Sequence, residues 1–443
     1  MHYSTGYYAR LSVPACKCLT NWLLIFLLIT ARLLAQAEGP LITSVVVEGN
    51  RVTREYIITR ELSHPLDQPF DSSLALDDRN RLYNLGIFEW VDVYPRPTTS
   101  GEAALIVAVV ETFRKIPYPT YYHLKDLGWA YGGGLMVTNF RGLNQSLDVG
   151  GTIGAELSYY LLFTDPWFMG NRVSLSSQVM QISRNHPEYS FRYRKRNFKV
   201  GIGKYFLDKT VYIAGATTFE DRRVMWPPDD PLKLVWGDLR HRIFTARGML
   251  LWRTTDIWRD PTTGFQLQLD LAPVWGLDSD SPTYGLVKSQ GAVFVPLWKG
   301  YRPLVWGAVL AVSHATQPTP IYLTQYVGGQ WVRGYNVAPE RNPLEIQDRL
   351  KGSSIVFTSM ELRQTLFPRR LWQQTEVGLS GVLFVDAGWG YGPGIPLRQA
   401  LPLVGYGVGL RFFFPNIDAL ALDVGTNPYD HILRYHLNLT HKF

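Results

Sequence analysis

The residues with the most distinctive chemistry are one arginine and two carboxylates that lie far apart in the chain. Arg333 lies in the glycine-rich stretch GGQWVRGY at positions 328–335. Glu361 and Asp386 each lie in a later run with strand character, on the polar side of its alternation. A guanidinium can bind a carboxylate through two parallel hydrogen bonds, so the three groups could form a tight ionic cluster. We predict a loop that carries Arg333 to these acids, with a motif formed by Val332, Arg333, Gly334 and Tyr335.

Alternation along the strand-like runs predicts which side chains share a face with the acids. Residues two positions apart point to the same side of a strand, so Asp386 shares its face with Phe384 and Gly388. With Glu361, these residues are the expected partners that anchor the loop. The alternative is that the charges line a hydrated interior without touching one another.

Three glycines of the run after Asp386 would face the same interior and leave room for a loop close to the wall. They are Gly405, Gly407 and Gly409.

Residue types that support catalysis or metal binding form no recognisable pattern. The histidines are scattered, and two of them, His436 and His441, lie in one strand-like run. The glycines at 132–134 are followed neither by Lys-Ser/Thr nor by a helix, which excludes a phosphate-binding loop. We therefore predict a protein that is not an enzyme and has no metal site and no cofactor.

The composition favours a membrane protein that crosses the bilayer with strands. Aromatic residues make up 14% of the 443 residues, although the mean hydropathy is only −0.06. Aromatic side chains without long apolar runs are typical of transmembrane β-barrels, whose rims carry aromatic girdles.

The one long apolar run, 22–31, is too short to span a bilayer as a helix. Arg10 and Lys17 precede it, and Ala-Gln-Ala at 35–37 follows as a cleavage site, which predicts a secretory signal peptide over residues 1–37. An uncleaved anchor is the alternative. Cleavage would remove both cysteines, Cys16 and Cys18. It would also remove three of the 44 basic residues and none of the 37 acidic ones, which leaves a charge of +4, too small to indicate nucleic-acid binding.

Residues 38–114 read as one small α+β domain with the order strand, helix, helix, strand, strand. Residues 115–127, with prolines at 117 and 119, read as a linker.

From residue 128 to 443 the helix signals vanish, and runs of about ten alternating residues follow one another. We predict a membrane β-barrel of about sixteen antiparallel strands. The sixteen runs are 129–137, 145–153, 155–163, 172–182, 196–206, 210–219, 241–253, 264–274, 284–296, 303–314, 321–328, 355–366, 378–388, 404–414, 417–425 and 433–443.

Two groups of motifs resemble known families. VVVEGNRVTREYI at 45–57 and LYNLGIFEWVDVYP at 82–95 resemble a polypeptide-transport-associated (POTRA) domain. The barrel region resembles the BamA-, TamA- and Sam-type outer-membrane assembly factors in several motifs that occur in the same order. These are NFRGLN at 139–144, FTDPWF at 163–168, VRGY at 332–335, F-x-D-x-G at 384–388 and G-x-G-x-R at 407–411.

The resemblance implies an outer-membrane protein with its N-terminal domain in the periplasm. It also implies a factor that inserts β-barrel clients by opening sideways between its first and last strands. The weak pairing of a glycine-rich first strand predicts a seam at this place. Its residues would be Gly132, Gly133, Gly134, Tyr435, Leu437, Leu439 and Phe443. The expected partners are outer-membrane lipids, unfolded client proteins and accessory lipoproteins. The alternative functions are a secretion pore of the same superfamily, which exports a polypeptide through the lumen, and a simple diffusion porin.

The signal peptide can be tested directly. N-terminal sequencing of the mature protein should give a chain that begins near Glu38, because the small residues before it fit signal peptidase. A mature chain that still contains residues 22–34 would contradict export through this signal.

Overall fold

The structure is a computed structural model, and it describes residues 39–98, 101–124, 128–169, 172–186, 189–207, 209–258, 260–317, 319–329, 331–336, 341–372, 375–392, 396–414 and 417–438. The predicted signal peptide lies outside the described residues. The chain forms a small N-terminal domain followed by one large antiparallel sheet.

The N-terminal domain packs two helices against a four-stranded sheet. Its elements are β1 (Leu41–Glu48), α1 (Glu55–Thr59), β2 (Gln68–Pro69), α2 (Ser72–Tyr83), β3 (Phe88–Pro97) and β4 (Glu102–Glu111). The sheet order is β2-β1-β4-β3, with β1 parallel to β4. Asp71 caps α2 by accepting hydrogen bonds from the amides of Ser73 and Leu74. Ile42, Ile58, Leu82 and Leu105 are fully buried in the core, so this domain has the predicted α+β architecture.

The large sheet has sixteen strands, each paired with its neighbours in an antiparallel ladder. They are β5 (Lys115–Leu124), β6 (Gly128–Phe140), β7 (Gln145–Gly154), β8 (Glu156–Asp165), β9 (Val173–Asn185), β10 (Arg192–Phe206), β11 (Val211–Met225), β12 (Leu239–Arg253), β13 (Gly264–Gly276), β14 (Tyr284–Trp298), β15 (Leu304–Ala315), β18 (Ser354–Trp372), β19 (Thr375–Tyr391), β20 (Leu403–Phe414), β21 (Ile417–Thr426) and β22 (Arg434–Asn438). A short helix, α3 (Pro231–Trp236), lies between β11 and β12. None of the helices in the described ranges is long and apolar enough to cross a membrane.

Two assignments made from the sequence are wrong. Residues 115–124 are not a linker, because they form β5, the first strand of the barrel. The run 321–328 is not a barrel strand: it contains a 3₁₀ turn (Ile321–Leu323) and the two-residue strand β16 (Gln325–Tyr326), which pairs with β17 (Lys351–Gly352). Pro117 and Pro119 were the reason for reading a linker, but an edge strand tolerates proline on its unpaired side.

Alternation along the strands separates a lipid-facing surface from a lumen-facing one. On β18, Met360 is 54% exposed, whereas its neighbour Glu361 is 1% exposed. On β19, Leu383 and Val385 are exposed and Asp386 is fully buried. The barrel therefore places apolar side chains outward and polar ones inward, as transmembrane barrels do.

The N-terminal domain lies against the turns at one end of the barrel. Glu61 forms an ion pair with Lys209 in the turn after β10, and the guanidinium of Arg60 lies 3.9 Å above the ring of Trp167 in the turn after β8. Burial at this contact lowers the pKa of Arg60 to about 10 and lowers the pKa of Lys209 below its usual range. Further along, Asn84 donates to the carbonyl of Asp256 in the turn after β12. The domain thus spans the periplasmic mouth.

The barrel architecture makes a simple prediction for the purified protein. Because the paired strands resist SDS at room temperature, the unheated sample should migrate faster on a gel than the boiled one. Circular dichroism should show mainly strand. Equal migration together with a helix-dominated spectrum would contradict the fold.

Candidate functional site

The longest connection in the barrel folds back into the lumen. It links Ala315, the last residue of β15, to Ser354, the first of β18. We call residues 316–353 the lumen loop. Val327, Val332 and Tyr335 are almost completely buried, in one apolar cluster with residues of the barrel wall that include Phe357. The loop therefore occupies the interior of the barrel.

Arg333 at the tip of the lumen loop has no exposed surface and binds Asp386 through the edge of its guanidinium formed by Nε and Nη2. Nε donates to Oδ2 at 2.8 Å and Nη2 donates to Oδ1 at 2.7 Å. The backbone amide of Arg333 also donates to Oδ2 of Asp386, at 3.0 Å. Ser359 donates to Oδ1 at 2.6 Å, and the ring of Phe384 lies 3.5 Å from the guanidinium carbon. This is the planar, bidentate geometry that an ammonium cannot reproduce.

Two further acids complete the coordination of Arg333. Its Nη1 donates to Glu361 at 2.8 Å and to Asp423 at 3.3 Å. Asp423 lies on β21 and also accepts from Arg411 at 2.6 Å, while Arg411 donates to Glu361 at 3.2 Å. Arg363 lies 3.8 Å from the other oxygen of Glu361. Three carboxylates thus lie among three guanidinium groups, and Arg363 also lies 3.4 Å from Asp260.

The balance of charge explains why this cluster can exist inside the protein. An isolated buried charge is very costly, whereas a paired and hydrogen-bonded one is tolerated. Removing one partner from a buried pair typically costs about 3–5 kcal/mol. Since Arg333 is fully buried, its loss would leave Asp386 and Glu361 with fewer donors in a desolvated place.

Glycines give the lumen loop its close approach to the wall. Gly334 has φ of +90°, and a Cβ there would collide with the carbonyl of Thr426. A Cβ at Gly405 would collide with the carbonyl of Arg333, and one at Gly388 would collide with Val332.

The other two predicted glycines have different neighbours. A Cβ at Gly407 would meet the carbonyl of Val424 and the ring of Phe384. A Cβ at Gly409 would meet the carboxylate of Asp423. Gly405 therefore makes room for the loop itself, whereas Gly407 and Gly409 make room for the groups that bind it.

The tip of the loop is also tied to the last described strand. The amide of Gly334 donates to Nε2 of His436 at 3.0 Å, and its carbonyl accepts from Arg434 at 3.0 Å. Asn427 donates to the same carbonyl at 2.8 Å. On the neighbouring wall, the hydroxyl of Tyr335 donates to the carbonyl of Val404 at 2.9 Å.

The start of the loop is held by the opposite wall. Tyr322 stacks on Tyr193 of β10, with ring centroids 5.4 Å apart, and its hydroxyl contacts Nδ1 of His241 on β12. The guanidinium of Arg222 on β11 lies 5.5 Å from the Tyr322 ring. The lumen loop therefore crosses the barrel from one wall to the other.

The structure brings together most of the residues singled out from the sequence, and it adds others, including Asp423 and Arg411. Val332, Arg333, Gly334 and Tyr335 lie beside Asp386, Glu361, Phe384 and Gly388. Asp423 and Arg411 were not predicted to be ligands. Asp423 alternates with outward Leu422 and Val424, so a face count on β21 could have found it.

The predicted seam needs correction. Gly132, Gly133 and Gly134 are on β6, which pairs with β5 on one side and β7 on the other, so they are not at an edge. A Cβ at Gly134 would collide with the ring of Tyr118, whose hydroxyl donates to Asp148. Gly134 therefore accommodates the side chain of Tyr118, whereas a Cβ at Gly132 or Gly133 would meet the backbone of a neighbouring strand.

At the other edge, Tyr435 and Leu437 are on β22 and point outward, 76% and 69% exposed. Leu439 and Phe443 lie outside the described residues. Within the part of the chain that the structure describes, no group of three or more His, Cys, Asp or Glu residues could hold a metal ion.

A sixteen-stranded barrel with a POTRA domain at its periplasmic end defines an outer-membrane protein of the transport and assembly class. The family model described as the Omp85 superfamily domain matches residues 139–443. A second model, the POTRA domain described as a surface antigen variable number repeat, matches residues 40–112. The chain belongs to the Omp85 superfamily.

Individual relatives agree with this assignment. A curated relative, the outer membrane protein assembly factor BamA of Neisseria meningitidis serogroup B (strain ATCC BAA-335 / MC58), is 26% identical over 141 residues, which are 31% of this chain and 18% of BamA. The matched part is therefore less than a fifth of that relative.

Two solved structures share the fold. One is BamA from Haemophilus ducreyi lacking POTRA domains 1–3, with a TM-score of 0.53 and 16% identity over 90% of this chain and 83% of that one. The other is CdiB from Acinetobacter baumannii, with a TM-score of 0.55 and 16% identity over 90% of this chain and 72% of that one.

The coordination of Arg333 can be tested with a double-mutant cycle. Arg333→Ala and Asp386→Asn should each free the lumen loop, so that protease reaches residues 329–354. The double variant should be less damaging than the sum of the two, with a coupling of roughly 0.5–3 kcal/mol for contacting residues. Arg333→Lys should restore the loop only in part, because it keeps the charge and loses the planar fork.

The measurements are the temperature at which heat-modifiability is lost and the rate of loop proteolysis. Arg341→Ala is a control, because the loop contact of Arg341 is made by its backbone carbonyl. This carbonyl accepts a hydrogen bond from the side-chain amide of Asn336. Strictly additive effects, with the loop equally protected in each variant, would show that the two charges act independently.

Proposed function

We propose that this protein is an outer-membrane assembly factor that inserts β-barrel proteins by opening sideways between β5 and β22. Membership of the Omp85 superfamily supports the general class, and the curated relative named above is an assembly factor. The observation that carries the proposal is a contrast within the barrel. The route through the lumen is obstructed, whereas the edges of the sheet are weakly equipped to pair.

The lumen is obstructed at two levels. The lumen loop crosses it from the Tyr322 contacts on one wall to the Arg333 cluster on the other. Below the loop, the POTRA domain lies across the periplasmic mouth through Arg60, Glu61 and Asn84. A polypeptide passing through the lumen would have to break a buried ionic cluster and displace a domain.

The edge of β5 is weak because two of its backbone donors are missing. The amide of Thr138 donates to the carbonyl of Arg114, so even-numbered residues of β5 bond to β6 in the alternating antiparallel pattern. Residues 117 and 119 then direct their backbone groups to the other edge, and both are proline. The seam side of β5 lacks two consecutive N–H donors, which leaves fewer hydrogen bonds for any partner strand to replace.

The opposite edge is β22, of which the structure describes five residues. Its described part pairs with β21 at five positions, from Arg434 to Asn438. Its inward side chains, Arg434 and His436, hold the backbone of Gly334 instead. The last strand is therefore held from inside the barrel by the lumen loop as well as by its neighbour.

In the proposed mechanism, β22 separates from β5 and a strand of an unfolded client pairs with the exposed edge. Each added client strand satisfies its own backbone hydrogen bonds as it enters the bilayer, where unpaired groups are costly. Burial of client apolar surface supplies the free energy, so no nucleotide, cofactor or catalytic residue is required. Accessory lipoproteins would act on the periplasmic side.

A secretion pore is the second candidate, because the fold resembles CdiB as well as BamA. In that case the lumen loop and the POTRA domain would have to leave the lumen during transport. Assembly therefore requires the seam between β5 and β22 to open, whereas secretion requires the lumen loop and the POTRA domain to move.

Cysteine crosslinking distinguishes the two functions. Pairs with one cysteine in 116–120 and one in 434–438 should crosslink at the correct register, since β5 and β22 are the edges of the sheet. A locked seam should stop client assembly, while heat-modifiability shows that the barrel is intact. Reduction of the disulfide should restore assembly.

The matched control is a pair of cysteines across β10 and β11, at positions 200 and 217, which are already paired. This disulfide should leave assembly unchanged. Full assembly with a locked seam would contradict lateral opening. If a disulfide from residue 333 to residue 386 were the only one to stop function, transport through the lumen would be favoured.

A further inference from the structure

The outward face of β12 shows where the hydrophobic part of the membrane ends. His241 and Ile243 are buried and face the lumen, so the even-numbered residues face outward. Towards the periplasm, these outward residues are apolar without interruption: Phe244, Ala246, Gly248, Leu250 and Trp252. At about 3.4 Å per residue and a tilt of about 40°, this stretch covers roughly 20 Å along the membrane normal, close to the height of a barrel's apolar band.

A row of aromatic side chains marks the extracellular edge of this band. Phe198, Phe219, Phe244 and Trp275 are directly paired across four consecutive strands, β10 to β13. Phe198, Phe219 and Trp275 are exposed, and the rings of Phe244 and Trp275 stack with centroids 5.9 Å apart. Such a row is an interfacial girdle, which lies at the level where acyl chains meet headgroups.

Beyond the girdle, the same outward face becomes strongly basic. Two residues further along lies the row Arg196, Asp221 and Arg242, and two residues beyond that lies the row Arg194, Arg223 and Arg240. We call the five arginines of these rows the arginine patch. By the same geometry, the two rows lie about 5 and 10 Å beyond the girdle, at the height of lipid headgroups.

The arginine patch has too few acids for its charge. Arg194 lies directly opposite Arg223, and Arg223 lies directly opposite Arg240, an arrangement of like charges that destabilises a sheet. Asp221 binds Arg240 at 2.9 Å and lies 3.5 Å from Arg223. Asp278 binds Arg242 at 2.9 Å. Five guanidinium groups thus share two carboxylates.

Arg194 shows the shortage most clearly. Among the described residues, its Nε is buried and has no hydrogen-bond partner. Arg196, on the same strand, directs its Nε to the neutral oxygen of Gln181 at 2.6 Å. Neither of these two guanidinium groups forms an ion pair with a carboxylate among the described residues.

We propose that the arginine patch is a binding site for the phosphate of an anionic lipid in the extracellular leaflet. A phosphate presents several acceptor oxygens to guanidinium forks and carries the charge that the patch lacks. The position just beyond an aromatic girdle fits a lipid whose acyl chains lie on the apolar band of β10–β12. An acidic protein segment would match the charge but has no reason to lie at this height.

The patch is specific to one side of the barrel. On the opposite side of the barrel, outward residues at the extracellular ends of the strands include Trp389 on β19, Val404 and Tyr406 on β20 and Tyr435 on β22. A general attraction to the membrane surface would not concentrate arginines on β10–β12. The site also lies on the side of the barrel that is far from the β18–β22 wall with its ionic cluster.

The test is native mass spectrometry of the full-length protein in detergent, titrated with phosphatidic acid or phosphatidylcholine of the same chain lengths. The wild-type protein should bind phosphatidic acid at least tenfold more tightly. The triple variant Arg194→Gln, Arg223→Gln, Arg240→Gln should lose this preference, since each basic residue near an anionic surface contributes about fivefold. Glutamine keeps much of the side-chain length without the charge.

A charge-matched control removes three cations elsewhere: Lys199→Gln, Lys204→Gln and Lys288→Gln. Lys199 and Lys288 face the lumen, and Lys204 lies near the periplasmic end of β10. This variant should keep the preference for phosphatidic acid. If both triple variants lose it equally, net charge rather than the patch is responsible and the proposal is wrong.

Two competition arms identify the source of the phosphate. Inorganic phosphate or soluble glycerol phosphate that displaces the lipid at low millimolar concentration would indicate a site for a free anion. A polyglutamate peptide that binds in a patch-dependent way, with no lipid preference in the wild type, would indicate a protein partner and overturn the proposal.

If the triple variant loses heat-modifiability, Arg194→Gln and Arg240→Gln alone should each weaken phosphatidic acid binding about fivefold. No change in either single variant would contradict the site.

Discussion

The contact on which the rest of the barrel depends is the guanidinium of Arg333 in the lumen. Its acceptors come from three strands: Glu361 on β18, Asp386 on β19 and Asp423 on β21. A slip of one residue in any of these strands would turn its acid towards lipid, because side chains alternate with a period of two. One fully buried side chain therefore fixes the register of this whole wall. The native conformation of the loop and the native register of the wall therefore depend on each other.

Under the proposed lateral opening, this constraint favours the seam over the wall as the place where the barrel opens. The wall from β18 to β21 is joined by its ladders and by the ionic cluster, so its separation would expose buried charges as well as backbone groups. The edge strands differ from this wall, because β5 presents Pro117 and Pro119 to the seam. Movement of β22 must either break the bonds of His436 and Arg434 to Gly334 or pull on the loop tip. The lumen loop is thus placed to link the state of the seam to the state of the lumen.

Most of the correct predictions from the sequence rest on the alternation of polar and apolar residues. This alternation arises because the lipid and the lumen impose opposite polarity on neighbouring residues. It gave fifteen of the sixteen barrel strands and the shared face of Asp386 and Phe384. It failed where backbone context outweighs pattern: two prolines concealed β5, and the alternating run 321–328 lies inside the lumen. Asp423 was missed because nothing local separates an acid that binds Arg333 from one that faces water. Its role depends on a residue ninety positions away.

Arginine serves opposite purposes on the two faces of the same sheet. Inside, Arg333 and Arg411 are paired with carboxylates of the chain. Outside, the rows that contain Arg194 and Arg240 place like charges directly opposite each other and leave donors unmatched. A sheet with such repulsion is less stable unless its surroundings supply anions at that height. Under the proposed lipid binding, the outer arginines make the stability of the barrel depend on the membrane around it, whereas the inner arginines are paired within the chain.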